Sequence, residues 1–144
     1  MPSHIALSLC VGALVLSGAV AGCSSGPVVT TASAEAGQAH PMRVGVAEFA
    51  ALTGSPDVQV IDVRTPEEFA AGHIPGAVNI PIRTPDFPTR IAALDPAGTY
   101  AVYCRSGNRS QPAVAAMRDA GIGTIYELGA GTRGWVSEGH PLVR

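Results

Sequence analysis

The 144-residue chain contains no lysine; its nine basic residues are all arginine, set against eleven carboxylates for a net charge of −2. A chain without a basic excess is neither a strongly basic nucleic-acid binder nor a polybasic membrane clamp. Charge of either sign is scarce, at 14% of residues against 47% hydrophobic, so the chain can build a core but not a large charged face. Cysteine is scarce too: Cys10, Cys23 and Cys104 are too few and too scattered for a disulfide framework or a cysteine-based zinc site. His4, His40 and His140 share no metal-ligand spacing, and no periodic repeat runs through the glycines and prolines. The length suits one ordinary domain.

The charge deficit is sharpest at the start, where the first carboxylate is Glu35 and the first arginine Arg43. Ile5 to Ala21 is almost wholly apolar, yet falls short of the ~20 residues that span a bilayer. Ser8, Gly12, Ser17 and Gly18 dilute it further, as in the core of a signal peptide. The run ends in Val20-Ala21-Gly22-Cys23, which resembles the lipobox of bacterial lipoproteins. The resemblance implies a signal peptide over 1–22 and a diacylglyceryl anchor on Cys23. It departs from the pattern in Met1-Pro2-Ser3-His4, which carries no Lys or Arg; the other reading is an uncleaved N-terminal helix with Cys23 as a buried small hydrophobe. Ser24 to Met42 is rich in Ala, Ser, Thr, Gly and Pro without periodicity, so 23–42 reads as anchor and flexible tether and 43–144 as the globular domain.

Within that domain Val58 to Val63 is a short β-branched run of the buried-strand kind. Thr65-Pro66-Glu67-Glu68 follows: a Thr cap, Pro at the first helical position and Glu three residues after the cap form a capping box. Gly72 is placed to end that helix. Ala77–Ile80 reads as a second apolar segment. Phe87, Ile91 and Leu94 lie at helical spacing before an Asp95-Pro96-Ala97-Gly98 turn. Tyr100–Tyr103 predicts a strand, Ser110–Ala120 a helix stopped by Gly121, and Thr124–Leu128 a last strand. Short strands alternating with helices of about ten residues predict an α/β fold with a single parallel sheet flanked by helices.

Ligands of such sheets sit beyond the carboxyl ends of the strands. Tyr100-Ala101-Val102-Tyr103 runs directly into Cys104-Arg105-Ser106-Gly107-Asn108-Arg109-Ser110 and then a helix. A thiol there lies among amides at a helix N-terminus, which cradle an anion and favour thiolate over thiol. Arg105 and Arg109 add positive charge, and Gly107 lets the backbone fold tightly. The plainer reading is a buried structural cysteine followed by a turn with solvated arginines.

Three motifs, in order, resemble rhodanese domains: Asp62 to Phe69 with Gly72 to Pro81, the loop Cys104 to Ser110, and Leu128 to Trp135 with Gly139-His140-Pro141. Ala130 interrupts the family's usual pair of glycines. The resemblance implies a single-domain, rhodanese-like sulfurtransferase of the thiosulfate type. Cys104 would be the nucleophile that holds sulfur as a persulfide. Arg105, Ser106, Gly107, Asn108, Arg109 and Ser110 would bind a small anionic donor, Arg109 chiefly, and a thiol or other nucleophile would accept the sulfur. No metal or organic cofactor is implied. Asp62 and Arg64, two apart on a strand, project to one side and are expected to tie loops together. His73 is expected to hydrogen-bond in a turn, and Trp135 to pack the C-terminal segment. A monomer without nucleic acid is expected, held by Cys23 to the outer face of a bacterial cytoplasmic membrane or released into the periplasm or medium. Two other readings exist: a noncatalytic module that binds a partner or a sulfur compound, and a phosphatase or arsenate reductase. The latter would need an arginine where Ser110 stands.

Overall fold

The computed structural model describes residues 41–144; the expected signal peptide, Cys23 and the tether as far as residue 40 lie outside the described residues. The order of elements is β1 (Met42–Val44), α1 (Val46–Thr53), β2 (Val58–Asp62), α2 (Pro66–Ala71), β3 (Val78–Asn79), α3 (Phe87–Ala92), β4 (Thr99–Tyr103), α4 (Ser110–Asp119), β5 (Thr124–Leu128) and α5 (Gly131–Ser137). The strands form one sheet in the order β1-β5-β4-β2-β3, with every neighbouring pair parallel. The outer strands are the shortest, β1 with three residues and β3 with two. From β2 the chain moves outward to β3, returns to β4 at the centre, then moves the other way to β5. The carboxyl ends of β2 and β4 therefore flank the point where the winding reverses, where such sheets hold ligands.

Alternation along the central strands sorts the core into two layers. Ile61 and Val63 from β2 and its exit, Tyr100, Val102 and Cys104 from β4 and its exit, and Ile125 from β5 face α3 and α4, and meet Phe87, Ile91, Ala113, Val114 and Met117. Val60, Ala101, Tyr103 and Leu128 face the other way and meet Val46, Phe49, Ile74 and Trp135. Phe49 is the hub of that second layer, with its ring edge-on to both Tyr103 and Trp135 at 6.2 Å.

The parallel sheet and the α2, α3 and α4 helices match the sequence expectation to within a residue or two at their ends. Three elements were not legible. Met42, expected to close the tether, opens β1 as a strand paired with Tyr126. α1 begins at Gly45 with no side-chain cap, so no start signal marks it; it forms because Val46 and Phe49, three apart, bury together. α5 contains two glycines and two β-branched residues, a poor intrinsic helix. Burial of Trp135 holds it, together with amide bonds from Thr132 and Arg133 to the carbonyls of Cys104 and Arg105 at 2.9 and 3.1 Å. Among the described residues no helix is long and apolar enough to cross a membrane.

The exit of β2 is fixed by an ion pair inside the protein. Asp62 is fully buried and Arg64 nearly so, and their charged ends lie 2.6 Å apart. Arg64 also donates to the Gly72 carbonyl at 2.7 Å, which closes the loop around α2, and its guanidinium stands 5.6 Å from the Tyr103 ring centre. Asn79 donates to the carbonyls of both Asp62 and Arg64 at 3.0 Å. Removing one partner leaves an uncompensated buried charge, which costs about 3–5 kcal/mol. Arg64→Ala should therefore lower the unfolding free energy by that margin, read as a lower urea midpoint with the slope unchanged; a loss below about 1 kcal/mol would mean that Asp62 recovers its solvation without Arg64.

Candidate active site

β4 delivers Cys104 to the centre of the carboxyl edge, and the next six residues curl back over it into α4. Cys104 is fully buried beneath this loop. Its Sγ accepts the Gly107 N–H at 3.2 Å and lies 3.6 Å from Ser110 Oγ, to which the thiol donates. Burial pushes the thiol up. The Ser110 hydroxyl and the amides of Ser106, Ser110 and Arg109 outweigh that, so Cys104 ionises below the ordinary thiol value.

Two glycines make the loop possible. Gly107 has φ +82°, and a Cβ there would strike the Gly129 carbonyl and the Arg43 guanidinium. Gly131 has φ +59°, and a Cβ there would enter the Arg105 backbone. Ala130 precedes it with φ −82°, a backbone conformation open to any residue. The single missing glycine of the motif therefore falls at the position that does not require one.

The two arginines of the loop have different surroundings. Arg109 donates to both carboxylate oxygens of Glu68 at 2.6 and 2.8 Å, so its fork is occupied by a residue of α2. Glu68 also closes the capping box, three residues after Thr65, accepting the Thr65 N–H at 3.2 Å. The Arg109 bond, set against partial burial and aided by Thr65, holds the Glu68 carboxyl down to about 2. Arg105 is exposed and forms no ion pair among the described residues. It lines an open cleft of about 240 Å³ with Arg64, Glu68 and Thr132. Cys104 lies beneath the loop beside this cleft rather than in its wall. Of the remaining loop residues, Ser106 is half-buried and Asn108 exposed.

His73 stands apart from the thiol loop. Its ring stacks on Phe69 at 3.8 Å, its Nδ1 lies 3.1 Å from the Phe69 carbonyl, and its backbone pairs with Val143. Trp135 donates Nε1–H to the Pro141 carbonyl at 2.9 Å and packs on His140. Three residues that the sequence reading did not place belong to the surroundings of the thiol. Glu68 holds Arg109, and Arg43 reaches from β1 to the Gly129 carbonyl at 3.2 Å beside Gly107. Glu127, buried on β5, accepts the Ser110 hydroxyl at 2.7 Å. A lone carboxylate in the apolar run Thr124–Leu128, on the α4 face by alternation with Ile125, was the available signal for Glu127.

A thiol in an amide cradle, at the winding reversal of a five-stranded parallel sheet, defines a domain class built to hold an anionic sulfur centre. The chain belongs to the rhodanese-like domain family, which matches residues 45–138. It is 36% identical over 92 residues to a sulfurtransferase of Allochromatium vinosum, covering 64% of this chain and 84% of that protein. It is 40% identical over 80 residues to the thiosulfate sulfurtransferase GlpE of Pseudomonas aeruginosa, covering 55% and 70%. Among solved structures, a rhodanese-related protein of Thermoplasma volcanium superposes with a TM-score of 0.62 at 31% identity, covering 71% of this chain and 97% of that one.

The Glu68–Arg109 clamp has a defined pH window. A carboxyl held below its unfolded value of about 4.3 contributes stability above that value and loses it as pH falls through about 2. Both side chains are partly exposed, so the contribution is under about 1 kcal/mol. The stability gap between wild type and Glu68→Gln, read by chemical unfolding, should be constant above about pH 5 and close as the pH approaches 2. A gap that persists at pH 2 would show that the substitution costs stability by something other than the loss of the Glu68 charge.

Proposed function

We propose that the protein is a sulfurtransferase that carries a sulfane sulfur on Cys104, taken from a thiosulfate-type donor and passed to a thiol or similar acceptor. The observation that supports this best is the Cys104 sulfur, shifted toward thiolate and bonded by the Gly107 amide beneath a positively charged loop. The thiolate attacks the outer sulfur of the donor. The donor's S–S bond breaks, sulfite leaves with the electron pair, and a Cys104 persulfide forms. An acceptor then attacks the terminal sulfur and returns the thiolate. The amides of Arg105 to Ser110 cradle the added sulfur's charge. Arg105, free of any carboxylate among the described residues, meets the anionic donor. Arg109 was expected to be the chief residue for that task, but Glu68 occupies its fork; in this reading it acts as fixed positive charge beside the sulfur. Intact mass of the full chain after thiosulfate should show one added sulfur, localised to the Cys104 peptide and absent from Cys104→Ser. Transfer that survives in Cys104→Ser would overturn the mechanism; a wild-type chain that takes no sulfur would favour a noncatalytic binding module.

The same proposal places the enzyme at a bacterial cell envelope, anchored through Cys23. Its support is the sequence: the uncharged apolar run to Ala21, the Val20-Ala21-Gly22-Cys23 motif and the polar tether. Two acyl chains on a diacylglyceryl cysteine hold far more firmly than one. With 1–22 removed and Cys23 lipidated, Cys104 is the one free thiol left, so no internal disulfide can capture it. Labelled fatty acid should enter the wild-type chain and not Cys23→Ala. Recovery of the wild type from the cytosol with residues 1–22 attached would overturn the anchor.

A further inference from the structure

Beneath the thiol loop runs a short hydrogen-bonded chain that ends on a buried carboxylate for which the sulfur chemistry above has no use. Cys104 Sγ, Ser110 Oγ and Glu127 Oε1 follow one another at 3.6 and 2.7 Å. All three residues are buried, with exposures of 0%, 0% and 6%. The strand register builds this line: Glu127 on β5 pairs with Val102 on β4, two residues before Cys104, and Ser110 opens α4 above them. Each proton in the chain points away from sulfur, since the thiol donates to Ser110 and Ser110 donates to Glu127.

We propose that Glu127 is a positioning residue that takes up the Cys104 proton through the Ser110 hydroxyl, so that thiolate forms without a proton leaving the protein. The proposal rests on Cys104 being the attacking group. In the step, the S–H proton passes to Ser110 Oγ while the Ser110 hydroxyl proton passes to Oε1 of Glu127. One S–H and one O–H bond break, two O–H bonds form, and no electrons change hands. The negative charge moves from the carboxylate to Sγ, where the Gly107 N–H already points and where Ser110, its hydroxyl now turned, donates. The interior thus holds one negative charge before and after, which avoids the large cost of burying a second. When the acceptor has taken the outer sulfur and the Cys104 thiolate is restored, Glu127 can return the proton to Sγ by the same route.

Other charges face the chain without replacing its members. Arg43 on β1 is in register with Glu127 and reaches Gly107. Gln111 and Arg118 on α4 line the groove beside Glu127. Arg109 on the loop feels the charge of Cys104 and of Asp62, which with Arg64 occupies the β2 exit. None of these groups joins Glu127 to Cys104, whereas the line of hydrogen bonds couples the two ends.

Two coupled groups release their protons in two steps that belong to the pair. Thiolate ultraviolet absorbance, taken as the full chain minus its Cys104→Ser variant to cancel other chromophores, should rise in two steps as pH increases. The plateau between the steps should hold at least about a tenth of the final amplitude. In Glu127→Gln, whose amide oxygen still accepts from Ser110 and keeps the bridge, the rise should be a single step. Its thiolate should then fall about tenfold per pH unit below the midpoint. A single step in wild type, or two steps retained in Glu127→Gln, would overturn the proposal, and the wild-type curve alone decides if the variant does not fold. Persulfide formation is read separately by mass. A two-step titration without persulfide would overturn the sulfurtransferase reading alone, and persulfide with a one-step titration would overturn the role of Glu127 alone.

Discussion

The buried pair of Asp62 and Arg64 is the interaction from which the rest of the carboxyl edge is organised. Asp62 ends β2, an interior strand, and is fully buried, so its charge must be answered from within. Arg64 answers it and at the same time draws in the Gly72 carbonyl beyond α2. That closure fixes where α2 begins, and so where Glu68 stands to meet Arg109 on the loop over the thiol. On the neighbouring strand Tyr103 accepts the Ile74 N–H at 3.1 Å, and burial with the Asp62 charge keeps its phenol neutral far above the ordinary range. One charge pair thus ties β2, the α2 loop and the β4 exit into a rigid frame beneath an otherwise irregular edge.

The thiol loop is best understood against that frame. A buried sulfur would normally resist ionisation, yet this one is met from three sides: by an amide at Gly107, by a hydroxyl at Ser110 and by the fixed charge of Arg109. α5 completes the arrangement from behind, because its first amides hold the Cys104 and Arg105 carbonyls and turn the loop's N–H groups the other way. The sulfur can remain buried and still be disposed to react, since the Gly107 amide is built into the backbone and needs no reorientation.

What the sequence made legible was what neighbouring residues carry. The capping box at Thr65, the strand-to-helix thiol loop and the i, i+2 pair at Asp62 are all written within a few positions of one another. The partners it hid are distant along the chain: Glu68 lies 41 residues from Arg109, Arg43 lies 86 from Gly129, and Glu127 lies 17 from Ser110. Strand order and register bring them together, and neither has a local signature. α5 was hidden for another reason, since two glycines and a valine argue against a helix that tertiary packing nevertheless imposes.

The distribution of strand lengths has a consequence for how copies behave when crowded. The five-residue strands β2, β4 and β5 are interior, and the sheet borders are the three residues of β1 and the two of β3. A growing fibril recruits chains by pairing along an open border, and these borders offer only a residue or two of unpaired backbone on which to start. The fold thus discourages templated stacking through geometry alone, with no lysine gatekeeper needed at its margins.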